Sequence, residues 1–145
     1  MNPYADSGLL IKLYVRERNS AEAISALGKF KFLALNQLQE LEIRNTFRAL
    51  EGRGLVTSFQ RAASEHELEA DLIVGRLQRN FFDWGLAFKE AMNLSQLFTA
   101  DTLARSLDLL HVSIALISNS DLFLTGDKRQ YAVAQKAGLQ ALLIE

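Results

Sequence analysis

Three short apolar runs without alternation constrain this chain most: FLAL at 32–35, LFLT at 122–125 and ALLI at 141–144. A strand that is apolar at every position is covered on both faces, which is the habit of parallel strands sandwiched by helices. Between these runs, apolar residues recur three and four apart, the spacing of one helix face. Leu9, Leu10, Leu13 and Tyr14 follow it in SGLLIKLYVRE, as do Leu38, Leu41, Ile43, Phe47 and Leu50 in the segment 37–54. Strand and helix alternate throughout, which predicts an α/β domain with a mainly parallel sheet. A length of 145 residues suits one domain spanning 1–145.

Strands are expected over 3–6, 31–36, 78–84, 121–125 and 139–145. Helices are expected over 7–17, 19–30, 37–54, 57–77, 85–101 and 127–138, with one more opening at Asp108 after a loop at 102–106. Asn19 or Ser20 can cap the second helix, Thr57 or Ser58 the fourth, and Gly28 and Gly138 can end theirs. The aromatic cluster FFDW at 81–84 reads as core, with Trp84 able to face a partner.

The acids fall where the strands end. Asp6 closes the first strand, Asp127 follows the LFLT strand, Asp108 opens the helix before that strand, and Glu42 lies early in the helix after the second strand. In open α/β sheets ligands bind beyond the carboxyl ends of the strands. Each acid alone has an ordinary explanation: Asp6, Asp108 and Asp127 as helix caps, with Ser106 a rival for Asp108, and Glu42 as a solvated or ion-paired residue. Together, carboxylates meeting at one edge repel each other unless a cation lies among them, and oxygen ligands suit Mg²⁺ or Mn²⁺. His66 sits in a polar helix and His111 in an apolar one, and the chain has no cysteine, so a zinc site is not expected. The net charge of −1 gives no global attraction to nucleic acid. No stretch approaches the roughly 20 apolar residues of a membrane span. The start MNPYADSGLL lacks a signal-peptide pattern, so a cytoplasmic protein is expected.

Four segments, in order, resemble the PIN domain family, in particular the VapC-type toxins of toxin–antitoxin pairs. YADSGLLIKLYVRE carries Asp6 and Ser7 as the family's Asp-Ser/Thr pair, and LNQLQELEIRNTFRAL carries Glu42 as its second acid. RSLDLLHVSIAL carries Asp108, and DLFLTGDKRQYAVAQKAGL carries Thr125 and Asp127. Gly8 and Gly126 are mild departures, Glu40 competes with Glu42 for the second motif, and Asp101 is an extra acid read as a solvated loop residue.

The resemblance implies a three-layer α/β/α domain and a metal-dependent endoribonuclease, the toxin of a type II toxin–antitoxin pair. It implies Asp6, Glu42, Asp108 and Asp127 as the catalytic, metal-binding set for Mg²⁺ or Mn²⁺, with Asp6 and Asp108 the first choices for direct contact. Ser7 and Thr125 would support them through hydroxyl hydrogen bonds, and Lys12, Lys128 and Arg129 would contact RNA phosphates. The partners implied are an RNA substrate, a cognate antitoxin docking on apolar helix faces, and a second copy in a homodimer. Alternatives remain: a metal-dependent DNA nuclease or other phosphodiesterase, or a PIN-like module that binds RNA or protein without cutting. A phosphate-accepting receiver domain has less support, because paired early acids and a late strand-end lysine are absent.

Overall fold

The computed structural model describes all 145 residues. In chain order the elements are β1 (Pro3–Ala5), α1 (Ser7–Ile11), α2 (Ser20–Leu27), β2 (Leu33–Leu35), α3 (Gln37–Gly52), α4 (Ser58–Val74), β3 (Leu77–Arg79), α5 (Trp84–Thr102), α6 (Ser106–Ile117), β4 (Leu122–Thr125), α7 (Lys128–Lys136) and β5 (Ala141–Leu143). This is the expected α/β class, and every paired strand is parallel. The strands form two ladders, β1-β4-β5 and β2-β3. The chain divides into two compact units, one of Met1–Asp6 with Phe81–Glu145 and the other of Ser7–Asn80.

In the first unit β4 is the middle strand. Its register sets Tyr4 opposite Phe123 and Ala5 opposite Leu124 on one side, and Leu124 opposite Leu142 on the other. Phe123 and Leu124 are buried, as a central parallel strand covered on both faces requires. Helix α6 buries every residue from Leu109 to Ala115, His111 and Ser113 included. Burial on all sides explains why its sequence is apolar all round rather than amphipathic. It packs on α5 and α7, and α7 in turn lies against β4 and β5.

In the second unit β2 pairs with β3, and α3 packs against α1 and α4 over Ile43, Phe47 and Leu68. Helices α3 and α4 each begin with a reciprocal capping box, Asn36 with Gln39 and Thr57 with Gln60. Ion pairs Arg44–Glu69, Arg61–Glu51 and Arg48–Glu65 tie the two helices along their exposed sides.

Several boundaries differ from expectation, each for a local reason. Helix α1 stops at Ile11 rather than 17, and the chain turns. Helix α4 stops at Val74 because Gly75 takes φ +83°, a left-handed conformation that costs a glycine little. That frees Leu77 to start β3, one residue earlier than read, and β3 ends at Arg79. Asp83 then caps α5 by accepting from the Leu86 N–H at 3.1 Å, so 80–83 do not continue the strand. Phe81 is 80% exposed, so FFDW is not core as a whole; the Phe82 and Trp84 rings lie 4.5 Å apart, tilted at 52° to each other. Helix α6 opens two residues before Asp108, with Arg105 at its cap position. No helix is long and apolar enough to cross a membrane.

Candidate active site

Three of the four expected acids belong to the first unit, and hydrogen bonds through Thr125 and Gln130 link them. Asp6 follows β1 directly, and its backbone N–H extends the ladder by donating to Leu124 O at 3.0 Å. Its side chain is buried and accepts at Oδ2 from the Thr125 hydroxyl at 2.5 Å. Thr125 ends β4 and is fully buried, so β1-β4 register places this pair. The same Thr125 oxygen accepts the Asp127 backbone N–H at 3.0 Å. Asp127 is the N-cap of α7, and its Oδ1 accepts the Gln130 N–H at 2.9 Å. Gln130, 3% exposed, turns its side-chain Nε2 toward Asp108 Oδ1 at 3.5 Å, the outer limit of a hydrogen bond.

Asp108 stands at the third position of α6 rather than at its cap. Its Oδ2 accepts the Arg105 N–H at 2.9 Å, satisfying a donor that the first turn of a helix leaves unpaired. Burial pushes its carboxyl above the ordinary value. The Arg105 N–H works against that, and the Asp127 charge adds to it. An opposing contribution also comes from His111, one turn further along the buried face of α6. His111 is 3% exposed and its Nδ1 lies 2.6 Å from the Tyr4 hydroxyl, as a histidine satisfied in the core.

The fourth acid belongs to the second unit. Glu42, on α3, accepts the Ser7 hydroxyl at 2.8 Å. Ser7 opens α1 and follows Asp6 directly in the chain. Its competitor Glu40 is already engaged, bonded to Arg79 at 2.9 and 3.0 Å and to Arg44 at 3.0 Å. The Arg79 hydrogen bonds, with help from Arg44, hold the Glu40 carboxyl below its ordinary value. Asp101 is exposed on the last turn of α5, in a helix and not in the loop expected for it.

The three basic residues differ in setting. Lys128 pairs with Glu145 at 3.1 Å and Arg129 is exposed, both on the first turn of α7 next to Asp127. Lys12 lines a cavity of about 430 Å³ in the second unit together with Tyr14, Ile24, Leu55 and Ser64. Beside it, the Tyr14 hydroxyl donates to Asp71 at 2.6 Å, and burial followed by that bond raises the phenol's proton affinity.

The donors offered by Asp6, Asp108 and Asp127 are hard oxygens, the chemistry of a Mg²⁺ or Mn²⁺ site. No group of three or more His, Cys, Asp or Glu side chains stands close enough together to hold a metal ion. An ion of the Mg²⁺ type does not need such a group, because it commonly takes one or two carboxylates and fills its other positions with water and phosphate oxygens. Gln130 has no place in the sequence expectations. The D-x-x-Q spacing of Asp127 and Gln130 is a capping signature, and it was the only signal available. No model of a known protein family matches the chain, and no curated protein matches it.

Proposed function

We propose that this chain is a Mg²⁺- or Mn²⁺-dependent endoribonuclease of PIN type, the toxin of a toxin–antitoxin pair. One observation carries the reading: Asp6, Asp108 and Asp127 are joined through Thr125 and Gln130, and the partly buried Asp108 is disfavoured as an anion both by burial and by Asp127. A cation beside Asp108 and Asp127 would offset both the burial of the Asp108 carboxylate and the charge of Asp127.

Asp6 and Asp108 are the first candidates for direct ligands, with Asp127 beside them. Thr125 fixes the rotamer of Asp6 through its hydroxyl donor. When bound, the divalent cation supplies Lewis-acid charge for the phosphate oxygens and a more acidic water. In the overall hydrolysis, water oxygen adds to phosphorus, one P–O bond breaks, and the departing oxygen gains a proton. Lys128 and Arg129, on the first turn of α7, are positioned in sequence to hold neighbouring phosphates. An antitoxin segment and a second copy are the protein partners of this reading.

The absence of a three-acid cluster favours one other reading, a module that binds RNA without cutting it. The deciding experiment incubates purified protein with single-stranded RNA, and in parallel with DNA, in Mg²⁺, Mn²⁺ or excess EDTA, beside Asp108→Asn. Metal-dependent RNA cleavage that the folded mutant lacks supports the nuclease. Equal cleavage by the mutant removes the site, and RNA binding without cleavage by the wild type supports the module.

A further inference from the structure

The amide of Gln130 is an anomaly. Its Oε1 is buried and has no hydrogen-bond partner, in a residue only 3% exposed. Buried acceptors are nearly always satisfied, because leaving one unpaired forfeits its hydration without replacement. The opposite amide orientation would set Oε1 against the Asp108 carboxylate, two acceptors facing each other, so the donor side is fixed.

Its neighbours explain how the side chain came to be there. At the starts of α3 and α4, Gln39 and Gln60 occupy the third helical position, as Gln130 does in α7, and each bends back to accept the N–H of its cap residue. In α7 that N–H, from Asp127, is already taken by Thr125. Gln130 is released from capping and reaches Asp108 instead. Its backbone still donates to Asp127 Oδ1. One residue thus donates to two of the three carboxylates, and its Oε1 is left buried without a partner.

We propose that Gln130 is a positioning residue for the cation site, setting Asp108 against Asp127 and offering Oε1 to a water of the ion's hydration shell. This rests on the metal-site reading above. A Mg²⁺-type ion keeps several waters, and each is a strong donor that needs an acceptor. Gln130 does not bind the ion itself. It orders the carboxylates that do, and it accepts a hydrogen from a ligand water.

The test is Mn²⁺ binding, measured by calorimetry and by thermal shift without RNA, on wild type, Gln130→Met, Gln130→Glu and Asp108→Asn. Methionine keeps the volume and the backbone N–H and removes both polar atoms. Glutamate keeps an acceptor. Gln130→Met should keep its metal-free melting temperature within a few degrees and bind Mn²⁺ about 10-fold more weakly, the usual cost of losing an outer-shell partner. Gln130→Glu keeps an acceptor but lacks the donor to Asp108, so it should lose affinity as well. Wild-type affinity in Gln130→Met or in Gln130→Glu overturns the role of Gln130 while leaving the metal site standing. Absence of Mn²⁺ binding by the wild type overturns both, and so separates the two failures.

Discussion

Asp108→Asn should make the metal-free protein more stable at neutral pH while removing its metal binding. The structure supplies both sides of the balance. Asparagine keeps an acceptor for the Arg105 N–H, so the first turn of α6 retains that bond. The lost negative charge gives up an interaction with the helix N-terminus worth about 0.3–1 kcal/mol. Against this, burial and the Asp127 charge are relieved, and they outweigh the favourable contributions because the carboxyl's proton affinity is raised overall. Relief of strained functional groups commonly yields about 0.5–2 kcal/mol. Asp108 is only partly buried, which argues for the lower end, about 0.5–1 kcal/mol, or about 1–4 °C in Tm for a chain of this size. A raised folded value means that the folded state holds its proton more tightly than the unfolded state, so ionisation destabilises the wild type above the folded value. The mutant's advantage should be full at pH 7.5, shrink as pH falls through the folded value of Asp108, and vanish below the ordinary value of 3.8. The assay is thermal unfolding in EDTA at low salt from pH 7.5 down to pH 4. Mn²⁺ at ten times its Kd should then add about 1.4 kcal/mol to the wild type and nothing to the mutant. A mutant less stable than wild type at pH 7.5, or a difference that does not change with pH, would refute the reasoning.

Thr125→Val removes the donor to buried Asp6 and the acceptor for the Asp127 N–H, and should cost about 1–3 kcal/mol in a urea melt. Glu40→Gln breaks half-exposed bonds to Arg79 and Arg44 and should cost under about 1 kcal/mol. Because Glu40 is held low, any contribution it makes is lost as pH falls through its folded value, so the cost of Glu40→Gln should shrink in acid titrations. RNA cleavage should survive Glu40→Gln and fall with Glu42→Gln. Gly75→Ala meets no crowding closer than Gln78 Nε2 at 3.9 Å, so its cost, about 1–2 kcal/mol by chemical denaturation, comes from the left-handed backbone alone.

The strands around Leu33–Leu35 and Leu122–Thr125 were legible because burial on both faces writes an unbroken apolar run into the sequence. The stretch from Gly75 to Asp83 was not. Gly75 looked like one glycine inside a helical pattern, and its left-handed conformation appears only in the backbone. The aromatic residues of FFDW carry strand propensity that the Asp83 cap overrides. Asp108 looked like a cap because Asp and Ser are both favoured there, with Ser106 the rival; the hydrogen bond to the Arg105 N–H shows Asp108 at the third helical position instead. Asp6, Asp108 and Asp127 could be placed near strand ends by counting elements. Gln130 could not, because its side chain is diverted by Thr125, and Thr125 is brought to Asp127 by the end of β4. Which strands share a ladder was equally hidden, since every run is apolar enough to pair with any other.

β1 pairs with β4, and 119 residues separate Asp6 from Thr125. The ribosome makes β1 long before this partner. At synthesis rates of about 5–20 residues per second, the strand waits roughly 6–24 seconds for β4 to be made. Through that time Ser7–Asn80, a continuous stretch with its own ladder, has the local contacts to fold. Asp6 meanwhile has neither Thr125 nor the carboxylates of α6 and α7. A nascent chain stopped before Leu122 lacks Thr125, Asp127 and Gln130, so whatever chemistry these residues perform with Asp6 and Asp108 waits until β4 and α7 have been made.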